Sequence, residues 1–317
     1  MMFFKLIRNE WMKLFNKVST YVMCGLVILG IAATAIFTMY NQQDEKLPDE
    51  KQWRTELTQE NKEFAKQEKE TNNPYLESYA VNQRAINDYR LEHGISPYEK
   101  ENAWTYMDRN MNLVQLIGAF VIIVGASIVS QEFKTGTIKL LLVRSASRIQ
   151  ILAAKFVTSI LFGLFLLLVL FVVSFAVGGL LFGFDGASTH LSASGGEVYE
   201  WSRTLYLGVS YLSSSVTLLM LTALAFMISS IFRSEAIAIA VSIVLLFIGS
   251  MATNMLAFVT DWAKYSLFAN TNLNLYFEGG PIVEGMTLSF SIIMLVIYLA
   301  VFLSLSFFIF KKRDVSI

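Results

Sequence analysis

The residues of this chain that could take part in chemistry are concentrated in one charged segment between two long apolar stretches. The segment 130–155 reads SQEFKTGTIKLLLVRSASRIQILAAK, and it places the acid Glu132 before a Thr-Gly-Thr triplet and an apolar run. Two arginines and then Lys155 follow that run. This pattern predicts a short amphipathic helix held at a membrane surface, with cations leading into the next apolar stretch. A basic loop that only fixes membrane topology is the alternative.

The sequence lacks the motifs of common catalytic and nucleotide-binding sites. It has no phosphate-binding loop of the G-x-x-x-x-G-K-[ST] type, no H-E-x-x-H, no G-x-S-x-G and no Cys/His cluster. His93 and His190 are far apart in polar stretches, where we expect lone solvated side chains. Cys24 has apolar neighbours and is expected to be a small buried side chain. We therefore expect no catalytic residue, no cofactor, no metal site and no ATP hydrolysis by this chain itself.

The composition identifies the elements that must position the charged segment. Of the 317 residues, 55% are apolar and 16% are charged, against about 25% charged in an ordinary soluble domain. A water-soluble protein of this size could not bury so much apolar surface in one or two cores. The sequence therefore predicts an all-α polytopic membrane protein with six transmembrane helices. The six stretches without Asp, Glu, Lys or Arg are 18–40, 111–130, 156–182, 205–232, 237–259 and 287–310.

The distribution of charge among the loops predicts the orientation. With the N-terminus inside, the inner pieces hold 13 basic and four acidic residues, whereas the outer pieces hold 12 basic and 21 acidic ones. This bias predicts that both termini are cytoplasmic. An Ala-Thr-Ala triplet is similar to a signal-peptide cleavage site, but it lies inside the first apolar run, so we expect that span to be retained. The inner pieces are 1–17, 131–155, 233–236 and 311–317.

Two polar pieces are expected to have structure of their own. Residues 1–17 predict an amphipathic helix on the inner leaflet, with Trp11 on its apolar side and Arg8 and Lys13 directed toward lipid phosphates. Residues 41–110 contain ten basic and fifteen acidic residues and predict an extracellular helical hairpin. The outer loops 183–204 and 260–286 complete the polar pieces, and aromatic residues are expected to hold the second near the outer leaflet.

The predicted spans contain no ionisable acid or base. Carriers driven by protons or cations use such residues near the midplane of the membrane. If this protein moves a substrate, we therefore expect the energy to come from another subunit. The many Ser and Thr residues of the spans are expected to pack helices, and Gly179 with Gly183 forms a weak close-packing motif at a span end.

The charged segment resembles that of the permease subunits of type-2 ABC exporters. In that family, the second span ends in Glu, and a Gly-Thr pair, an apolar run, a small-residue turn with Arg and a Lys at the third span follow. The opening sequence NEWMKLFNKVSTYVM and the six-span layout are also similar to that family. The insertion at 41–110 is longer than the family's minimal pattern. The matching positions are Glu132, Gly136, Thr137, Leu141, Arg148 and Lys155.

The resemblance implies the partners of the chain. Two permease copies, or two related permeases, would work with two separate ATP-binding subunits docked on the cytoplasmic side of a bacterial plasma membrane. The 131–155 segment and the N-terminal helix would contact these ATPases and transmit their closure to the spans. Glu132 would belong to a charged cluster with Arg148 and Lys155 as partners. The exported substrate would be a peptide or another amphiphile; the bilayer is the other partner, and no nucleic acid is expected.

A second class of function starts from the large insertion. In this reading, the chain is a non-transporting membrane sensor or scaffold whose 41–110 insertion binds a ligand or partner. The absence of a large cytoplasmic domain from the predicted layout argues against this reading, because no part of the chain could then act on a cytoplasmic target.

Overall fold

The chain is a mainly helical, multi-pass membrane protein, and six of its helices are long and apolar enough to cross a membrane. The structure is a computed structural model. It describes residues 2–42, 47–71, 73–134, 147–186, 189–232, 234–278, 280–283 and 285–312, with only the backbone at 74 and 131–134.

The helices that cross the membrane alternate with short surface elements. The spanning helices are α2 (Val18–Gln42), α5 with α6 (Ala103–Asn110 and Val114–Lys134, joined by the 3₁₀ turn Met111–Leu113), α7 (Arg148–Phe182), α8 (Arg203–Phe232), α9 (Glu235–Ala257) and α12 (Leu288–Lys312). The others are α1 (Met2–Phe15), α3 (Glu50–Glu70), α4 (Pro74–His93), the strands β1 (Thr189–Ser194) and β2 (Glu197–Ser202), a 3₁₀ helix (Asp261–Tyr265), α10 (Leu267–Thr271) and α11 (Leu275–Glu278).

The third spanning helix, α7, begins eight residues before the predicted start of its span. Ser147 caps it, because the Ser147 Oγ accepts a hydrogen bond from the Gln150 N–H at 3.2 Å and the Gln150 side chain accepts one from the Ser147 N–H at 3.1 Å. Arg148 and Lys155 are therefore helical rather than part of a loop. The final third of the predicted 131–155 segment is continuous with the span.

The connecting segments gather at two ends of the helix bundle. One, which we call the α1 end, contains α1, the start of α7 and the start of α9. The other, the insertion end, contains α3, α4, the β-hairpin and residues 258–278, 280–283 and 285–287. Contacts join each group internally: Lys155 binds Glu10 at the α1 end, and Tyr89 donates to Glu200 at the insertion end. This grouping follows from six spans that alternate in direction.

The insertion folds as the predicted pair of helices. Asp49 begins α3 with a reciprocal capping box, and Gly94 ends α4 in the left-handed conformation, with φ of 67°. Trp53 and Leu57 of α3 are buried against α4. The Arg84 guanidinium, on α4, donates to the Glu68 carboxylate of α3 at 2.6 Å.

A β-hairpin stands where the sequence predicted only a glycine-rich loop. Strands β1 and β2 pair antiparallel with Ser194 opposite Glu197, and the two residues between them are Gly195 and Gly196. These glycines have φ of 61° and 82°, values that a two-residue hairpin turn requires and that side chains disfavour. The Gly196 N–H also donates to Asn82 of α4 at 2.9 Å, so the hairpin is fixed to the insertion.

A buried polar network joins three spanning helices near the insertion end. The Thr34 hydroxyl of α2 donates to the Asn110 side-chain oxygen at 2.6 Å, and the Asn110 amide donates to Ser174 of α7 at 3.0 Å. Asn110 and Ser174 are fully buried. Every polar group in such an apolar setting needs a partner, so this network fixes how α2, α5 and α7 align.

Replacing Asn110 with alanine is expected to lower the free energy of unfolding by about 1.5 kcal/mol, because it leaves Thr34 and Ser174 without this shared partner. Thermal unfolding of the purified chain in detergent measures this. Asn112→Ala is the matched control: the Asn112 side chain is exposed and donates to the Arg109 carbonyl within its own turn. Equal melting temperatures for the two variants would contradict the structural role of the network.

Candidate functional site at the α1 end

A buried ion pair joins the N-terminal helix to the third spanning helix. The Lys155 ammonium of α7 donates to the Glu10 Oε2 of α1 at 2.6 Å, and the Lys13 ammonium donates to the Glu10 Oε1 at 2.7 Å. The Glu10 and Lys155 side chains are only 8% and 4% exposed, whereas Lys13 is 46% exposed. A buried carboxylate held between two ammonium groups is stable only while its partners remain, so α1 and α7 are fixed to each other.

The sequence around both charges explains why they are buried. Glu10 lies at the edge of the apolar face of α1, next to Phe3 and Leu14 on the helical wheel. Lys155 belongs to a buried stripe of α7 with Leu152 and Phe162, at helical spacing.

Aromatic packing supports the same contact between α1 and α7. The Trp11 and Phe15 rings of α1 meet the Phe165 ring of α7, with ring centroids 6.0 and 5.3 Å apart. The Thr20 hydroxyl donates to the Leu14 carbonyl at 2.5 Å, which fixes the turn between α1 and α2.

Hydrogen bonds of a second acid and of a serine connect three more spanning helices at this end. Glu235 is the first residue of α9, and its carboxylate accepts a hydrogen bond from the Ser127 hydroxyl of α6 at 2.5 Å. The Ser229 hydroxyl of α8 donates to the Ala126 carbonyl of α6, also at 2.5 Å. An acid in the first turn of a helix is stabilised by the helix dipole.

A cavity of about 250 Å³ lies between α1, α2, α6, α7 and α9. Burial lowers the pKa of Lys17 at this cavity, and the carboxylate of Glu235 opposes that decrease. The charged lining residues are Glu10, Lys13, Lys17, Lys155 and Glu235. The uncharged polar lining residues are Ser19, Thr20 and Ser127. Apolar side chains of α1, α2 and α6 form the rest of the wall: Leu14, Met23, Ile123, Val124 and Ile128.

The predicted site residues fall into three groups. Trp11, Lys13 and Lys155 meet at the α1–α7 contact, Arg8 lies exposed on α1, and Arg148 begins α7. Lys155 has Glu10 as a partner, one of the four acids counted in the inner pieces but not predicted to pair with it. The side chain of Glu132 and all of Gly136, Thr137 and Leu141 lie outside the described residues. Among the residues that the structure describes, no group of three or more His, Cys, Asp or Glu side chains could hold a metal ion.

The insertion end has its own cluster of partly buried charges. Arg203, at the start of α8, pairs with Glu99 at 3.3 Å, and their side chains are 13% and 26% exposed. The His190 ring of β1 stacks on Tyr206 with ring centroids 3.7 Å apart. The prediction that His190 is solvated was wrong, because the unforeseen hairpin packs this ring against α8. His93 is exposed on α4, beside the Tyr89 ring.

His190 is expected to make the stability of the chain dependent on pH. Burial, together with the positive charges of Arg203 and Arg90, lowers the pKa of His190 to about 4. An unfolded histidine takes up its proton near pH 6.5, and the folded one does so only near pH 4, so stability decreases as the pH falls through this window. We expect a loss of about 2 kcal/mol.

Melting temperatures measured between pH 7 and about pH 4 test this expectation, because the folded and the unfolded chain differ in the protonation of His190 over this range. His190→Phe should flatten the decrease, whereas His93→Phe, which changes an exposed ring, should retain it. A decrease of the same size in both variants would show that other groups cause it.

Comparison with known proteins places the chain in a family. A family model described as "Protein of unknown function (DUF2705)" matches residues 77–316. The chain belongs to the DUF2705 family. It is 42% identical over 314 residues to the uncharacterized protein YhcI of Bacillus subtilis (strain 168), which covers 98% of this chain and 99% of YhcI. It is also 32% identical over 227 residues to the uncharacterized membrane protein YdbK of the same organism, which covers 70% of this chain and 87% of YdbK.

The DUF2705 match covers only part of the site at the α1 end. It begins within α4 and runs to residue 316, so it includes Lys155 and Glu235 but not Glu10. The similarity to YhcI extends over 98% of the chain and therefore beyond the DUF2705 region.

Two functional candidates at the α1 end were missed from the sequence. Glu10 could have been found, because an acid at the edge of an apolar helix face is costly to bury and needs a partner. Glu235 was counted only as a loop charge. Its partner, Ser127, lies within a predicted span, and local sequence contains no signal for this contact between residues 108 positions apart.

Proposed function

We propose that this chain is the membrane-spanning permease subunit of an ATP-binding-cassette exporter in the bacterial plasma membrane. Both termini would lie in the cytoplasm, and a separate subunit would hydrolyse the ATP. The six spans, the absence of ionisable residues from the predicted spans and the resemblance of the 130–155 segment support this proposal. As in the sequence-based expectation, the substrate would be a peptide or another amphiphile, and the functional unit would be a pair of permeases.

The buried contact between Glu10 and Lys155 supports the proposal most strongly. It fixes α1, the N-terminal helix, to the first turns of α7, which form the last third of the 131–155 segment proposed to meet the ATPase. A force applied to that segment would therefore move α1 and α7 together. An isolated topology-setting loop would need no buried ion pair beside it.

The length of α7 provides a route for such a movement across the membrane. The helix has 35 residues, which corresponds to about 50 Å. At its other end it packs closely on α5, where Ala103 donates its N–H to the Gly183 carbonyl at 2.8 Å. A displacement at the α1 end would therefore reach the helices below the insertion.

Co-purification tests the proposal. The affinity-tagged chain, expressed in its own host and extracted in mild detergent, should recover an ATP-binding-cassette ATPase in a 1:1 ratio of chains. Glu132→Ala and Gly136→Pro should abolish ATP turnover by the recovered complex or its assembly. Lys264→Ala, a surface change at the insertion end, is the control and should leave both unchanged. Intact assembly and turnover in Glu132→Ala and Gly136→Pro would overturn the assignment of the 131–155 segment.

The folded insertion favours a second candidate, the ligand-binding sensor or scaffold. Helices α3 and α4 have their own buried residues and are fixed to the hairpin through Asn82. Replacing residues 49–92 with a short flexible linker separates the two candidates. An exporter should keep its ATPase partner after this change. A sensor should lose its response to the ligand or partner of the insertion, and no ATPase should be recovered with any variant.

A further inference from the structure

We infer that the cavity at the α1 end binds the headgroup of an anionic phospholipid from the surrounding membrane. The inference does not depend on the transport proposal. It depends on the lining of the cavity, on its position between α1 and the spanning helices α2, α6, α7 and α9, and on the charges that meet there.

The charges of the lining favour an anion with one negative charge. Three lysines and two glutamates line the cavity, so their formal sum is one positive charge. Glu10 already accepts hydrogen bonds from Lys13 and Lys155. Partial burial lowers the pKa of the Lys17 ammonium at the cavity, and a bound phosphate would oppose that decrease as the Glu235 carboxylate does. Basic pockets between spanning helices are typical sites for acidic lipid headgroups.

The apolar part of the lining favours a lipid over a small soluble anion. Met23 on α2 and Ile123 and Val124 on α6 continue the cavity wall toward the membrane interior. A free phosphate has no apolar group that could cover this surface. The glycerol and first methylene groups of a phospholipid would cover it while the phosphate meets the lysines.

The position of the cavity matches the depth of lipid headgroups. Lys17 immediately precedes α2, which begins at Val18 and is apolar from its first turns. Phe4, on the neighbouring α1, exposes 75% of its surface, which suits a helix that lies in the interface. The lysine therefore lies where the polar surface of the membrane meets the hydrocarbon.

Native mass spectrometry of the full chain tests the inference. The protein is purified from nanodiscs that contain phosphatidylglycerol and phosphatidylethanolamine, and the lipids that remain bound in detergent are counted. We expect one retained phosphatidylglycerol. Lys17→Gln should weaken its retention about tenfold, because a charge-assisted contact is lost. Ser19→Trp should weaken it to a similar degree by filling the cavity while every charge stays in place.

Two matched variants separate the cavity from general surface attraction. Lys5→Gln removes the same charge from α1 outside the cavity, and Val18→Trp adds the same ring at a residue that is 78% exposed. Both should retain the lipid. Equal loss in Lys5→Gln, equal retention of phosphatidylethanolamine, or displacement of the lipid by inorganic phosphate would overturn the inference. Because Ser19→Trp changes the volume of the cavity and Lys17→Gln changes its charge, a similar loss in both variants supports a site rather than a damaged protein.

Discussion

Replacing Lys155 with methionine is expected to lower the free energy of unfolding by about 3 kcal/mol, because Glu10 then remains buried with one ammonium partner instead of two. The double variant Glu10→Gln/Lys155→Met should recover most of this loss, since it leaves no unbalanced charge of the pair. Thermal unfolding in detergent of the single and double variants measures the coupling between the two residues.

Lys13→Met is the control for this prediction. Lys13 also contacts Glu10, but its side chain is 46% exposed, so its removal should cost less than about 1 kcal/mol. Equal effects of Lys13→Met and Lys155→Met would contradict a special role for the buried pair. The stable double variant also tests the role of the ion pair in activity apart from its role in folding. If the proposed function holds, the complex of this variant with the ATPase should still assemble, but the variant should not stimulate ATP hydrolysis as the unchanged chain does.

Replacing Gly178 with valine is expected to lower the free energy of unfolding by about 3 kcal/mol. A Cβ atom at this residue would lie 3.0 Å from the Ala103 Cα and 3.2 Å from the Ala103 carbonyl oxygen. Backbone atoms cannot move aside as a side chain can, so the substitution should push α5 away from α7. The melting temperature in detergent, together with the yield of monodisperse protein, measures the effect.

Gly208→Val is the matched control for the change at Gly178. It introduces the same side chain into a spanning helix at a glycine whose Cβ position, apart from its own helix backbone and chain neighbours, has no atom of the described residues within 4 Å. We expect almost no change in melting temperature. A similar loss in both variants would mean that valine disturbs the helices themselves and that the close approach of α5 and α7 is unimportant.

The membrane architecture could be predicted from sequence because each span is a local property. An apolar run of sufficient length must form a helix in a bilayer, whichever helices it later contacts. Helix ends were harder to predict, because capping decides them: Ser147 and Gln150 begin α7 inside a segment that hydropathy assigns to a loop. Close packing also differed from the motif, since the Cβ position of Gly178 faces α5, whereas Gly183 contacts α5 through its carbonyl oxygen.

The β-hairpin was missed although its signal is local. The sequence THLSASGGEVYEWS has two short strand-like runs separated by two glycines, which is the usual signature of a hairpin. Its glycine content was instead taken to indicate a loop. The wrong expectation for His190 followed directly, because only a strand brings this ring onto Tyr206.

The candidate site at the α1 end was only half predictable. Trp11, Lys13 and Lys155 were selected on pattern and resemblance, and they lie at one contact. Their acidic counterpart could not be chosen from spacing, because Glu10 and Lys155 are 145 residues apart in sequence. Contacts of this kind depend on how α1 and α7 pack, and that packing is decided by the whole bundle.

Site-specific photo-crosslinking tests most directly whether a separate ATPase docks at the α1 end. The photoreactive residue p-benzoylphenylalanine is placed at Ile149, which is 49% exposed near the start of α7, or at Trp262, which is 75% exposed at the insertion end. Our account predicts that irradiation of cells crosslinks an ATP-binding-cassette ATPase to the chain from residue 149 and not from residue 262. An ATPase captured from residue 262, or none captured from residue 149 in a complex that contains one, would contradict it.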